Sequence, residues 1–468
     1  MSAAAAIVAA GATFGSTSGF PMSMVSSSST AGNIGSSGLE DSLFPLAGNG
    51  GYDVRNYNLT LDYDPKYRRL KGIVVITAKA TQELTRFNLD LTGMTVQGVK
   101  VDQAEASFRR DGQELVITPG HPVGHDESFA VTITYEGIPE PIIDSGLPIG
   151  WNSTDNGAFV GSQPNAAMTW FPVNDHPKDK ASYDFTVTVP KGSTAVANGI
   201  FRGQENSDER STFRWRQEEP MASYLATVAV GEFKIQQYTT ETGLEVYNAV
   251  DPREAAAWPA LEKLPAILDW ASGLFGPYPF KSAGAIVVHS DVWGGTSALE
   301  TQGRPIYPSS LSLDGLSLMV HESAHQWFGD SLTIDTWEDV WLNEGFATYA
   351  EWLYDEQHGG DSAQKTFDRF YATPANEPLW NSSVASLRDP SEIFSSGTYT
   401  RGAMALHKLR TNVGDDTFFR ILRSWTAAHR GGNVTTKQFI TLAESLSGKD
   451  LVPMFHTWIS IQGKPSHP

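Results

Sequence analysis

Beyond Gly51 the chain alternates apolar and polar positions. Tyr57, Leu59, Leu61 and Tyr63 fall on one side of an extended segment. The runs IVVITAKA, RFNLDL, VQGVKV, FAVTITY, YDFTVTVP, STFRWRQ and SYLATVAVG continue that style, divided by Gly, Pro and Asp turns. Together they predict an antiparallel all-β domain over residues 51–247. Near Asp251 the period changes. AAAWPALEKLPAILDWASGLFG carries apolar residues three and four apart, which predicts helix; GAIVVHS reads as a strand, and beyond Leu313 the pattern is mostly helical. A second domain is therefore expected over residues 248–468, and the whole is a multidomain α+β chain. Internal repeats are not evident.

The first fifty residues follow neither pattern. MSAAAAIVAAGATFG is small and apolar, and SMVSSSSTAGNIGSSG is a Ser/Gly tract; such composition buries too little surface to fold. Residues 1–50 are expected to be a flexible leader or the remnant of a secretory signal. The first basic residue is Arg55, so the charged start of a signal is missing. Secretion is the expected location, with the cytoplasm as the alternative.

Composition narrows the function classes. The net charge of −19 disfavours a nucleic-acid partner and adhesion to anionic lipid. No run of 18 apolar residues exists, so no membrane span is expected. With no cysteine, any metal must be held by nitrogen and oxygen ligands.

HESAHQWFGD supplies such ligands. Leu316, Val320, Ala324 and Trp327 mark one face of a helix for which Asp314 is the expected N-cap. His321 and His325 lie one turn apart on another face, where their rings can converge on one ion. Glu322 points away from direct ligation but can reach a water on that ion, the place of a general base. A second amphipathic helix starts at Trp337. It carries Glu344, with 18 residues between it and His325. An antiparallel return brings that carboxylate to the histidines, leaving a fourth position open as in catalytic zinc sites. One Zn2+ per chain is the expected cofactor. Glu351, seven residues on, is open between a partner for a ligand histidine and a surface carboxylate. Arg401 and Lys408 read as ordinary helix-surface charges.

H-E-x-x-H, 18 residues, then Glu inside WLNEGFATY resembles the aminopeptidase N family of zinc metallopeptidases. SQPNAAMTWFPVNDHPKDKASYDFTVTVP, SALETQ, YTRGAMAL and LVPMFHTWISIQGKP resemble further segments of that family, so the likeness covers roughly residues 51–468. It implies a thermolysin-like, mostly helical catalytic domain after the β domain. Glu300 would match the glutamate of the family's G-x-M-E-N motif, which holds a substrate α-ammonium. Here Ser297, Leu299 and Thr301 replace that motif's Gly, Met and Asn. Gln163 and Asn165 would lie near the same amine, and Tyr399 would donate to the oxyanion. The implied reaction is removal of an N-terminal residue. Glu322 takes a proton from the attacking water and passes it to the leaving amine. The expected partners are peptides with a free N-terminus; the oligomeric state is open. The alternatives are a zinc endopeptidase, or an inactive relative serving as a scaffold. Family members usually continue into a C-terminal helical domain. This chain resembles a short member without it, which implies an open cleft that accepts longer or less restrained peptides unless a partner or dimer supplies the roof.

Overall fold

The computed structural model describes residues 33–144, 146–292, 298–309 and 315–466. Most of the expected leader, residues 1–32, lies outside these, as do Ser297 and the expected N-cap Asp314. From Asn33 the chain belongs to the folded body, which corrects the expectation for residues 33–50. That segment buries a few apolar residues, Leu43 and Ala47 among them, and is anchored by a polar group as well. The buried carboxylate of Asp41 accepts from the N–H groups of Leu43, Phe44 and Trp337 at 2.9, 3.1 and 2.8 Å, and faces His176 at 3.3 Å. Those bonds add to the modest hydrophobic drive that composition registers.

The alternating segments form an eight-stranded sheet in the order Ile200–Asn206, Arg210–Ala222, Lys180–Pro190, Tyr52–Asp64, Arg69–Ala80, Ser128–Gly137, Thr95–Val101, Ala104–Glu105. Tyr57, Leu59, Leu61 and Tyr63 all face the core. Most pairings are antiparallel, but Tyr52–Asp64 lies parallel to Lys180–Pro190, with Tyr57 opposite Tyr183 and their rings stacked at 5.0 Å. The sheet is thus mixed rather than purely antiparallel. Parallel neighbours cannot be joined by a tight turn, and the intervening chain builds further sheets. One of these has five strands and contains Ala158–Gly161, which delivers the chain directly to Gln163.

A four-stranded sheet follows: Lys234–Thr239, Glu245–Val250, Ser282–Val288 and Ile306–Pro308. The expected domain division at 247/248 falls inside one of its strands. Leu299 and Ile306 exchange backbone hydrogen bonds at 3.0 and 2.9 Å, which holds Glu300 beside the sheet edge. The helical pattern of 255–276 is broken at its prolines into Pro252–Ala257, Trp258–Leu261 and Leu264–Phe275, with Pro259 and Pro265 in first turns, where a missing N–H costs nothing. Two helices then carry the site: Gly315–His325, the histidine helix, and Trp341–Gln357, the glutamate helix. They pack side by side, with Val320, Ala324 and Trp327 buried. Among the described residues no helix is long and apolar enough to cross a membrane.

Candidate metal centre and active site

Glu344 is buried in the first turn of the glutamate helix, and its Oε2 lies 3.3 Å from His321 Nε2 and 3.4 Å from His325 Nε2. The other ring nitrogens are engaged elsewhere. His321 Nδ1 donates to Glu351 Oε1 at 2.7 Å, and His325 Nδ1 donates to the Phe328 carbonyl at 3.0 Å. A carboxylate and a carbonyl only accept, so the neutral tautomers present bare Nε2 lone pairs to Glu344. Three acceptor atoms pointed at one spot require protons or a cation between them. Charge shifts express the same demand. Burial disfavours the charged form of both rings. For His321 the hydrogen bonds to Glu344 and Glu351 outweigh it and hold the ring well above its ordinary range. For His325 the charge of Glu344 outweighs it and brings the ring to about 9. Burial would raise Glu344, but His325 and His321 hold it at about 2. Two imidazoles and one carboxylate, backed by outer partners, fit zinc.

Glu351 is therefore not a surface carboxylate. Its other oxygen accepts from the Ser317 hydroxyl, so it joins the two helices as well as orienting His321. Spacing allowed that reading; only the packing selects it.

Glu322 Oε2 is buried and, among the described residues, has no hydrogen-bond partner. Burial chiefly, then Glu300 and Glu344 against the histidines, pushes Glu322 up to about 8. Ligand atoms of Glu300, Glu322 and His325 lie within 4.8 Å of one another. Glu300 is itself buried, raised by desolvation, and accepts from Gln163 Nε2 at 2.8 Å across 137 positions of sequence. Gln326, one residue past His325, fastens that loop: its Nε2 donates to the Glu300 carbonyl at 3.3 Å and its Oε1 accepts from Gly303 N at 2.7 Å. Nothing local in QWFGD announced this role. Asn165 is half-buried beyond Pro164 and, among the described residues, makes no side-chain bond to the cluster.

Tyr399 lies in a single π-turn, Gly397–Arg401, with its ring 5.9 Å from that of His321 and inclined by 23°. Burial, then the charges of Glu344, Glu300 and Glu322, raise its hydroxyl well above 10, so it is a proton donor at neutral pH. Arg401 corrects the sequence reading. It is fully buried and hydrogen-bonds backbone carbonyls. Helical periodicity does not distinguish such an arginine from a solvated one.

The chain joins a β domain to a helical domain that gathers two imidazoles and one carboxylate where a metal ion could sit. Residues 54–225 match the Peptidase M1 N-terminal domain, and residues 260–458 match the Peptidase family M1 domain. Among solved structures, a two-domain M1 zinc metallopeptidase bound to L-tryptophan is 30% identical, with a TM-score of 0.82 over 92% of this chain and 99% of that one. An M1 zinc metallopeptidase from Deinococcus radiodurans is also 30% identical, with a TM-score of 0.79 over 92% and 98%. Aminopeptidase N of Lactococcus lactis subsp. lactis is 26% identical over 88% of this chain and 51% of its own. Glutamyl aminopeptidase of Rattus norvegicus is 27% identical over 75% and 39%. The chain belongs to peptidase family M1. It spans about half the length of the curated relatives it matches first.

Proposed function

We propose that the chain is a zinc aminopeptidase that removes one residue from the free N-terminus of a peptide. The observation that carries this reading is Glu300, a buried carboxylate held by Gln163 beside Glu322 and His325. A peptide whose ammonium group pairs with Glu300 reaches the metal with its first carbonyl and no further, because the anion closes that end of the groove. An endopeptidase would gain nothing from it. The related structures bound to L-tryptophan, L-arginine and a Tyr-Ser-Ala substrate support a site that receives a terminal residue.

His321, His325 and Glu344 would hold a zinc ion, which would supply Lewis acidity at the site. The rest is work for the chain's own groups. Glu322, whose Oε2 has no partner among the described residues, accepts the proton of the attacking water and delivers it to the departing amine. Tyr399 keeps its proton and donates a hydrogen bond to the oxyanion. Glu300 with Gln163 holds the ammonium. Asn165, half-buried two residues past Gln163, would extend that cradle.

The test is hydrolysis of amino-acid anilides, free and N-acetylated, by zinc-loaded protein and by Glu300→Gln. Cleavage of the free anilides alone is expected, with kcat/KM lowered about 100-fold or more in Glu300→Gln. Equal cleavage of the acetylated compounds would replace this reading with the endopeptidase. Absence of cleavage in protein holding one zinc per chain would replace it with the scaffold.

A further inference from the structure

Tyr399 must place its hydroxyl within hydrogen-bond reach of a transient oxygen. A π-turn is an uncommon element on which to hang such a group. Two contacts pin this turn, one at each side of its C-terminal end. The first is backbone against backbone. A Cβ added to Gly402, which follows the turn, would lie 3.0 Å from the Cα of Gly345, the residue after the ligand Glu344. The second is Arg401. Its Nε donates to the Trp458 carbonyl at 2.7 Å, Nη1 to Ser382 at 3.2 Å, and Nη2 to Thr457 at 3.2 Å and to Ile461. Three of those acceptors belong to or follow another π-turn, His456–Ser460, whose end leaves carbonyls unsatisfied and carries the negative end of the local dipole. Backbone bonds from Val384 and Ala385 to the Ile459 carbonyl, at 2.7 and 2.9 Å, seat that turn on the chain leading to Tyr399. Among the described residues Arg401 has no carboxylate partner; its charge is met by the carbonyls it bonds and by the Trp380 ring, 5.8 Å from the guanidinium.

We propose that Arg401 is a positioning residue for the oxyanion donor: by clamping the turn His456–Ser460 to Gly397–Arg401, it fixes the Tyr399 phenol against the metal ligands. The proposal rests on the reading of Tyr399 given above. It makes the segment 456–461, distant in sequence from the zinc ligands, part of what sets the rate. A lysine keeps the charge but lacks the planar fork that reaches four acceptors at once.

The experiment measures kcat and KM on a free amino-acid anilide for the full chain and for Arg401→Lys, Tyr399→Phe and the double variant. Zinc content and far-UV circular dichroism are taken at the assay temperature. Arg401→Lys is expected to lower kcat about tenfold with KM within about twofold, and to have less than about a twofold effect when Tyr399 is already Phe. The same loss in both backgrounds, or no loss with Tyr399 present, overturns the proposal. Should Tyr399→Phe alone leave kcat intact, the reading of Tyr399 has failed and the clamp has nothing to position. If Arg401→Lys is unfolded at that temperature, Gly402→Ala in the same two backgrounds moves the turn from its other side and is judged by the same comparison.

Discussion

At the residue scale the site is an arrangement of acceptors that needs cations. His321, His325 and Glu344 aim three acceptor atoms at one point, while Glu351 and the Phe328 carbonyl settle the tautomers. Two predictions belong here. Glu322→Gln keeps the shape but cannot take a proton. It should lower kcat by about 10² to 10⁴ while zinc content by atomic absorption stays at one per chain. A fall in zinc content would mean that Glu322 acts as a ligand. Glu351→Ala frees His321 Nδ1, and competition with a chelator should show zinc affinity weakened by about 10- to 100-fold. Unchanged affinity would return Glu351 to the surface role that spacing alone left open.

At the scale of elements, the loop bearing Glu300 is held by a buried arginine as well as by its strand pairing. Arg304 donates to the carbonyls of Tyr247 and Gly199 at 3.0 Å each and to that of Ala197, and its guanidinium lies 4.9 Å from the Trp215 ring. Burial brings it down to about 10. It ties the four-stranded sheet to the strands of the β domain, directly after the Glu300 turn. Arg304→Lys leaves carbonyls unpaired and should cost roughly 2–4 kcal/mol in urea unfolding. A change below about 0.5 kcal/mol would show those carbonyls to be hydrated instead. Elements also mark how far the sequence was legible. Alternation identified the strands, because one face of each is buried; it carried no information on which strand neighbours which. The parallel pairing of Tyr52–Asp64 with Lys180–Pro190, in which Tyr57 stacks on Tyr183, is therefore seen only in the structure. Helical spacing found the two ligand-bearing helices but ran through Pro259 and Pro265, where the chain restarts its helix.

For the whole molecule, the β domain holds several buried carboxylates. Burial raises Glu114 to about 7, Asp175 to about 6 and Asp179 to about 8. Each folded-state value lies above the ordinary one, so the folded chain binds these protons more tightly than the unfolded chain. The stability they contribute is complete below about pH 4 and is lost as pH rises through 6 to 8. In the presence of a chelator, which removes zinc release as a variable, the urea midpoint should fall between pH 5 and pH 8. Glu114→Gln cannot ionise and should remove part of that slope, on the order of 1–3 kcal/mol at pH 8. A midpoint that rises over this interval would show that these carboxylates are solvated. The metal centre has the opposite dependence, since protons compete with zinc for its histidines.

What the sequence determined by itself was local: which residues can bind a metal, that His321 and His325 share a helix face, and that Glu344 returns on a second helix. These follow from the 3.6-residue period and from the chemistry of imidazole and carboxylate, which need no knowledge of the rest of the chain. Tertiary structure alone decided the contacts made across long stretches of chain. Gln163 meets Glu300, Asp41 draws residues 33–50 onto Trp337, and Arg401 is buried among carbonyls of residues 382 and 457–461. A polar side chain reads alike in sequence whether water or a backbone carbonyl satisfies it. Which of the two does so depends on what the fold brings within 3 Å, and that is set by the burial of the apolar residues around it.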